Sequence, residues 1–261
     1  MIKLKTAHEI DRIRDSCILL NETLAELVRM VDVGITTLEL DRFARDYIVR
    51  HKGKPAFLGY EGFPASLCAS VNQVVIHGIP DKRRLAEGDI LGLDLGVDLS
   101  GYISDAAYTV PVGKVSPEAM ALLDVTRDCL RLGVEHAVLG NRIKDISAAV
   151  FDRAHAAGYG IVRQFCGHGV GFSLHEDPQI PNYVGPGPNP RIKNGMVLAI
   201  EPMINLGVDE VEILEDGWTV QTVDNSLSAH FEHTVAIFED RTEVLTVHPN
   251  GGRLQRFQPT L

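Results

Sequence analysis

The run Leu93 to Asp105, LDLGVDLSGYISD, constrains this chain more than any other stretch. Leu93, Leu95, Val97 and Leu99 alternate with Asp94, Gly96 and Asp98. A period of two puts the apolar residues on one face of a strand and the acids on the other. Asp98-Leu99-Ser100-Gly101 has Asp first and Gly fourth, as a type I turn prefers. The strand therefore folds back as a hairpin, and a turn centred between Leu99 and Ser100 sets Asp94 directly across from Asp105. Facing Cβ atoms lie only about 5 Å apart, and like charges there oppose pairing. Two opposed carboxylates in an apolar hairpin imply a cation, and Asp98 reads as a turn former rather than a ligand.

The rest of the chain repeats one pattern. Thr6 and Glu9 form a capping box, and Ile10, Ile13, Cys17, Leu20, Leu24 and Leu27 follow at helical steps. A second capping box, Thr36 with Glu39, opens a helix that turns Leu40, Phe43, Tyr47 and Ile48 inward and stops at Gly53 before Pro55. Segments 66–76 and 89–97 read as strands, and YISDAAYTV is the hairpin return of a three-stranded unit. Ser116-Pro117-Glu118 then starts a helix through Met120, Leu123, Leu130 and Val134, and another runs from Ile143 to Ala157. Strand-like segments follow at 161–166, 196–201, 211–221 and 230–238, with a Gly/Pro/Asn loop at 181–195. Gly34 and Gly140 hold matching places. The pattern predicts an α+β fold of one domain over 1–261, built from pseudo-repeats at about 1–113 and 114–250, with two sheets facing one cleft.

Composition excludes several classes. At 261 residues the chain can bury a large core, and no linker or low-complexity tract divides it. Apolar runs fall far short of the ~20 residues a membrane helix needs, and the N-terminus lacks the apolar core of a secretory signal. These features set the expectation of a soluble cytoplasmic protein. Cys17, Cys68, Cys129 and Cys166 show no CxxC spacing and read as reduced thiols. A formal charge of −10 argues against specific nucleic-acid binding, and Lys82-Arg83-Arg84 reads as a solvated loop.

Polar groups interrupt apolar strands at further places. His77 ends the strand VVIHGIP before Gly78 and Pro80, although a lone histidine there is more often structural. His168 lies between glycines in CGHGVG, and His175 follows seven residues later. Glu201 ends the strand of MVLAIEPM, where Pro202 keeps it extended. In AHFEHTVAIF, Phe231, His233, Val235 and Ile237 alternate against His230, Glu232 and Thr234, which sets Glu232 mid-strand on the polar face. Any one of these acids reads equally well as a solvated strand face. Asp94, Asp105, Glu201 and Glu232 together cannot stay ionised in a core without cations. Carboxylates with one imidazole suit Mn, Fe or Co, and bridging carboxylates can hold two such ions about 3.5–4 Å apart, with a bridging hydroxide as the nucleophile.

These motifs, with GYEGFPASLCASVNQVVIHGIP, LHEDP, DGWTVQT and SLSAHFEHT, resemble the type I methionine aminopeptidases over nearly the whole chain. The resemblance implies the pita-bread fold, a pseudo-twofold duplicated helix-helix-sheet unit enclosing a dinuclear metal cleft. It implies that Asp94, Asp105, His168, Glu201 and Glu232 hold two divalent ions (Co, Mn, Fe, Zn or Ni), with Asp105 and Glu232 bridging. It further implies that Glu201 shuttles a proton, that His175 hydrogen-bonds the scissile carbonyl and that His77 contacts the peptide nitrogen or departing amine. Tyr60, Phe63, Cys68 and Trp218 fall where the family's methionine pocket lies, and Asn72, Val74 and Ser228 where it binds a monovalent cation. The implied substrates are N-terminal methionine peptides and nascent chains with a small second residue, cleaved by metal-bound hydroxide. The implied enzyme is a monomer in transient contact with the ribosome, in the short form without a zinc-binding extension.

The chain departs from the pattern at Glu61, where His is common, at Phe57, where a small residue or Cys is usual, and at Leu174, which replaces an aromatic. Ala106-Ala107 follows Asp105 where a hydroxyl residue is common. Two rival readings share the fold. One is an X-Pro aminopeptidase or prolidase, which usually carries a large preceding domain; the other is an inactive binding protein, which typically lacks metal ligands.

Overall fold

The computed structural model describes residues 1–246. The final part of the second expected repeat, 247–250, lies outside the described residues, as does the rest of the C-terminal stretch to 261. In chain order the first half carries α1 (Ala7–Met30), α2 (Thr37–Arg50), β1 (Lys54–Pro55), β2 (Cys68–Val71), β3 (Val74–Ile76), β4 (Ile90–Leu99) and β5 (Tyr102–Pro111). The second half opens with α3 (Pro117–His136) and α4 (Ile143–Ala156), followed by β6 (Gly160–Ile161), β7 (Gly167–Gly169), β8 (Glu176–Ile180) and β9 (Val197–Ile200). It continues through β10 (Met203–Asn205), β11 (Val211–Ile213), β12 (Val220–Thr222), β13 (Ser228–His230), β14 (His233–Ile237) and β15 (Thr242–Val244).

The helices start where their caps predict. Glu9 accepts from Thr6 N at 2.7 Å while Thr6 Oγ1 accepts from Glu9 N, and Thr36 and Glu39 repeat the exchange. All six apolar residues expected on the inner face of α1 are buried, each stabilising by about 1.5–3 kcal/mol relative to exposure. Helix α2 buries Leu40 and Ile48 and half-buries Phe43 and Tyr47. In α3, Leu123, Leu130 and Val134 face the core, but Met120 is exposed, because its neighbours Ala119 and Leu122 take the buried positions of that turn and leave it on the solvent side.

The two halves correspond in detail. Gly34 and Gly140 have φ of 93° and 92° and precede α2 and α4. Gly34 N donates to Leu85 O and Leu85 N to Ile35 O; Gly140 N donates to Ile192 O and Ile192 N to Asn141 O. Arg84 reaches the Gly34 carbonyl as Arg191 reaches that of Gly140. Arg83 pairs with Asp89, so two of the three cations at 82–84 serve internal contacts rather than a free basic patch.

The strands depart from expectation in instructive ways. Among the described residues four hydrogen-bonded sheets form rather than two, with every strand of the second half only two to five residues long. Segment 66–76 splits at a turn into β2 and β3; of 161–166 only Ile161 falls within a strand, with Val162 N adding one bond to Met203 O; and 211–221 is interrupted by the Asp216–Gly217 turn. Segment 230–238 is not continuous either, because β13 and β14 are separated at Phe231 and Glu232. β1, β7, β8, β10 and β15 are too short or too polar to announce themselves by alternation.

The opening hairpin is the main correction. Leu99 pairs with Tyr102, Gly96 with Asp105 and Asp94 with Ala107, so Asp94 and Asp105 are diagonal neighbours rather than directly opposed. The loop is the two-residue Ser100-Gly101, with φ of 57° and 86°, the pattern of a type I′ turn. That turn prevails because its twist matches that of the two long strands, whereas a type I turn splays them. Asp98 does act as a turn former: its Oδ1 accepts from Gly101 N at 2.7 Å. The slip is two residues, an even number, so both acids stay on the same face. Ser100→Asn, which favours positive φ, is expected to raise the thermal midpoint, and Gly101→Ala to lower stability by about 1 kcal/mol, as read by urea unfolding.

Candidate metal centre

Three strand interiors, one strand end and one strand break deliver four acids and a histidine to one cavity. Asp94 comes from β4, Asp105 from β5, His168 from β7, Glu201 from the residue after β9, and Glu232 from the break between β13 and β14. The break matters: freed from the ladder, Glu232 N donates to Ala107 O at 2.8 Å, which lays Glu232 over the β4–β5 hairpin. Thr234 Oγ1 donates to the Asp105 carbonyl and accepts from Asp105 N, at 2.7 and 3.3 Å. Thr109 makes the mirrored pair with His230, at 2.8 and 2.9 Å. Two threonines and one backbone bond thus fasten the acid-bearing strands of the two halves together.

The side chains then converge. Ligating atoms of Asp105, His168 and Glu232 all lie within 4.8 Å of one another. His168 Nε2 is 3.9 Å from Asp105 Oδ2 and 3.5 Å from Glu201 Oε1. On the other side of Glu201, His230 Nε2 is 3.5 Å from Oε2. Burial dominates the electrostatics. Desolvation pushes the Asp94 carboxyl up to about 7, and carries Asp105, Glu201 and Glu232 well above the usual carboxylate range, with mutual repulsion adding to it for Asp105 and Glu232. The same loss of water lowers His168 to about 3 and His77 to about 4, so both rings are neutral near pH 7.

These residues fit divalent cations. Asp94 Oδ1, Asp105 Oδ1 and Glu232 Oε1 are buried with no hydrogen-bond partner among the described residues. Buried polar atoms are normally satisfied, and an orphan carboxylate oxygen in a cluster of four acids is what a hard cation completes. Several oxygens with one imidazole among them make a mixed set suited to Mn, Fe or Co. The structure therefore brings together all five residues singled out as ligands.

Beside the acids lies a cavity of about 130 Å³. Tyr60, Phe63, Cys68 and Trp218 line it, joined by Phe57 and Leu174. Phe63 and Trp218 meet edge to face with centroids 5.2 Å apart. Phe57 occupies the space above Gly96: a Cβ there would come within 2.7 Å of its ring, so the glycine of LDLG is what admits the phenylalanine. Leu174 belongs to the same apolar cluster, so the added bulk at 57 and the lost bulk at 174 fall in one place.

His77 and His175 stand at the mouth. His77 has a left-handed φ of 57°, a costly conformation for a residue with a Cβ, and Gly78 beside it leaves no room for one, with Ala69 O within 2.4 Å. Its ring lies edge-on to Phe165 and Trp218. His175 Nδ1 is 2.8 Å from the Tyr60 hydroxyl, and its ring centroid is 4.4 Å from that of His168. Sequence reasoning did not foresee this Tyr60–His175 bond, the two threonine clasps, or His230 as a member of the site. His230 carried a signal, since alternation set it on the polar face two positions before Glu232.

Comparison with known proteins supplies an independent line. The model for metallopeptidase family M24 matches residues 11–239. A methionine aminopeptidase of Treponema pallidum is 50% identical over 247 residues, covering 94% of this chain and 96% of its own. The crystal structure of methionine aminopeptidase from Rickettsia prowazekii superposes with a TM-score of 0.92 at 38% identity, over 95% of this chain and 100% of that one. Prolidase from Pyrococcus furiosus shares the fold, with a TM-score of 0.74 at 22% identity over 94% of this chain and 65% of its own.

The raised carboxyl values have a consequence for stability. Each acid protonates more readily in the folded than in the unfolded chain, so each supports the metal-free fold below about pH 4. That support is lost as pH rises through the folded value, about 7 for Asp94. Glu232→Gln, which removes one charge and keeps the shape, is expected to raise the urea midpoint of chelator-treated protein at pH 8, with a difference that shrinks as the pH falls and vanishes only below about pH 4.

Proposed function

The chain belongs to the methionine aminopeptidases of metallopeptidase family M24, and we propose that it removes the N-terminal methionine from peptides and nascent chains whose second residue is small. The observation that carries the proposal is the convergence of Asp94, Asp105, His168, Glu201 and Glu232 in the wall of one cavity whose other side is aromatic and aliphatic. In this reading these five residues would hold two divalent ions, with Asp105 and Glu232, whose ligating atoms lie within 4.8 Å of one another, at the middle of the set. Such ions supply Lewis acidity toward a carbonyl and toward water. The remaining work falls to the chain's own groups.

The cavity receives the methionine side chain, whose thioether suits the aromatic edges of Phe63 and Trp218 and the Tyr60 ring. Burial keeps the Cys68 thiol protonated, so the pocket wall is uncharged there. Burial also lowers His175, which makes it a neutral imidazole. Burial raises the Tyr60 phenol, so it remains protonated and donates to Nδ1. The ring proton then sits on Nε2, free to donate to the substrate carbonyl as negative charge develops there. His77, neutral and fixed by its strained backbone, faces the peptide nitrogen. Glu201 carries a proton from water to the departing amine.

Three finer points belong to the same reading. A monovalent cation sits beside Asn72, Val74 and Ser228, supported by the bond from Ser228 N to Asn72 O that draws the loop and β13 together. The enzyme works in the cytoplasm, supported by four free thiols. It acts there as a monomer in transient contact with the ribosome, where its substrates emerge. Among the described residues no helix is long and apolar enough to cross a membrane.

Hydrolysis of Met-Ala-Ser over Ala-Pro-Ala by chelated protein reloaded with Mn, Co or Fe tests the activity, and preference for the proline peptide overturns it. His175→Ala is expected to keep its metal and lose on the order of 10²-fold or more in turnover. Tyr60→Phe, which frees the His175 tautomer, is expected to lose about 2- to 10-fold in kcat, the worth of one hydrogen bond. Unchanged turnover in either variant removes that residue from the mechanism.

A further inference from the structure

Glu201 stands between two imidazoles, and only one of them has a task in the reaction described above. His168 Nε2 is 3.5 Å from Oε1, and His230 Nε2 is 3.5 Å from Oε2. His230 lies in the wall of the same cavity, and its Nε2 is buried without a hydrogen-bond partner among the described residues. A ring nitrogen shut away from water needs a partner, and the Glu201 oxygen is a few tenths of an ångström beyond an ordinary N–H···O length.

The backbone of His230 has little freedom to look elsewhere. Thr109 holds both its N–H and its carbonyl. The next residue, Phe231, is fully buried with its ring edge-on to Tyr108. The imidazole is therefore aimed at Glu201 by the strand crossing that also sets Glu232 over the hairpin.

We propose that His230 is a positioning residue for Glu201. Its ring, with the proton on Nε2, donates to Oε2 and so turns Oε1 toward His168. A carboxylate at a strand end otherwise rotates freely about its last two bonds, and a ligand held from behind by a hydrogen bond keeps the orientation its metal requires. Thr109 serves the same end one step further back. The proposal rests on Glu201 as a metal ligand, and its test separates the two.

Co(II) is titrated into chelated wild type, His230→Gln, His230→Leu and Glu201→Ala, with affinity read by calorimetry and ligand geometry by visible absorption. Gln sets an amide nitrogen close to the place of Nε2, so His230→Gln is expected to keep the wild-type spectrum and to bind within about threefold of wild type. Leu has no donor, so His230→Leu is expected to bind 10- to 100-fold more weakly with an altered spectrum. His230→Asn, whose shorter amide falls short of Oε2, takes the place of Leu if that variant does not fold. Wild-type affinity and spectrum in His230→Leu overturn the positioning role, provided Glu201→Ala binds weakly. If Glu201→Ala also binds like wild type, it is the ligand reading that fails. A folded His230→Gln as impaired as His230→Leu also overturns the proposal, because the imidazole is then itself a ligand.

Discussion

The hydrogen bond from Glu232 N to the Ala107 carbonyl is the join on which the site depends. Thr234 clasps Asp105 on one side of it and Thr109 clasps His230 on the other. The arrangement works as an antiparallel crossing in which two of the usual backbone partners are replaced by buried hydroxyls. Each hydroxyl gives one hydrogen bond and takes one, so the backbone at Asp105 and His230 stays satisfied where the two halves meet. Asp105 and Glu232, one from each half, are thereby fixed side by side. A cleft assembled from two halves is only as well defined as their contact, and here the contact and the ligands are neighbouring residues.

The same crossing explains the electrostatics. Strands β4, β5 and β9 present apolar residues such as Leu93, Leu95 and Leu198 to the core and leave the acids on the inner wall, away from water. Desolvation there raises four carboxyls at once, an arrangement that no salt bridge relieves, since the nearest nitrogens belong to rings that burial keeps neutral. Such a set stays uncharged only by taking up protons, and a divalent cation that fits among the oxygens can take their place. The apolar cavity and the acidic wall are also mutually dependent, because the aromatic side chains that shape the cavity exclude the water that would otherwise solvate the acids.

Much of this was legible in the chain. The helices were, to within a residue or two at their ends, because capping boxes and helical steps are local signals: Thr6 with Glu9, Thr36 with Glu39 and Ser116 with Pro117 each mark a start that the structure keeps. The long strands β4 and β5 were legible by alternation. The short strands were not, since two or three residues contain too few repeats for a period to show. The hairpin register was misjudged by two residues because Asp98 favours one turn type while the twist of ten-residue strands imposes another. The error left Asp94 and Asp105 on the same face for a simple reason: a slip of two preserves the face.

What the sequence by itself determined is which residues are inside, which acids interrupt apolar strands, and where helices begin, all properties of neighbours in the chain. It also contained the five acids and histidines of the centre, recognisable through the motifs around them. Only the tertiary structure decided their distances and partners. It set Asp94 diagonal to Asp105, joined Tyr60 to His175 at 2.8 Å, stacked Phe57 over Gly96 and aimed His230 at Glu201. Apart from the hairpin, those pairs lie between 29 and 115 positions apart, and no local propensity acts over such separations. They follow from how two similar halves cross, which is fixed by packing and by two threonines whose side chains look, in the sequence, like any other strand residue.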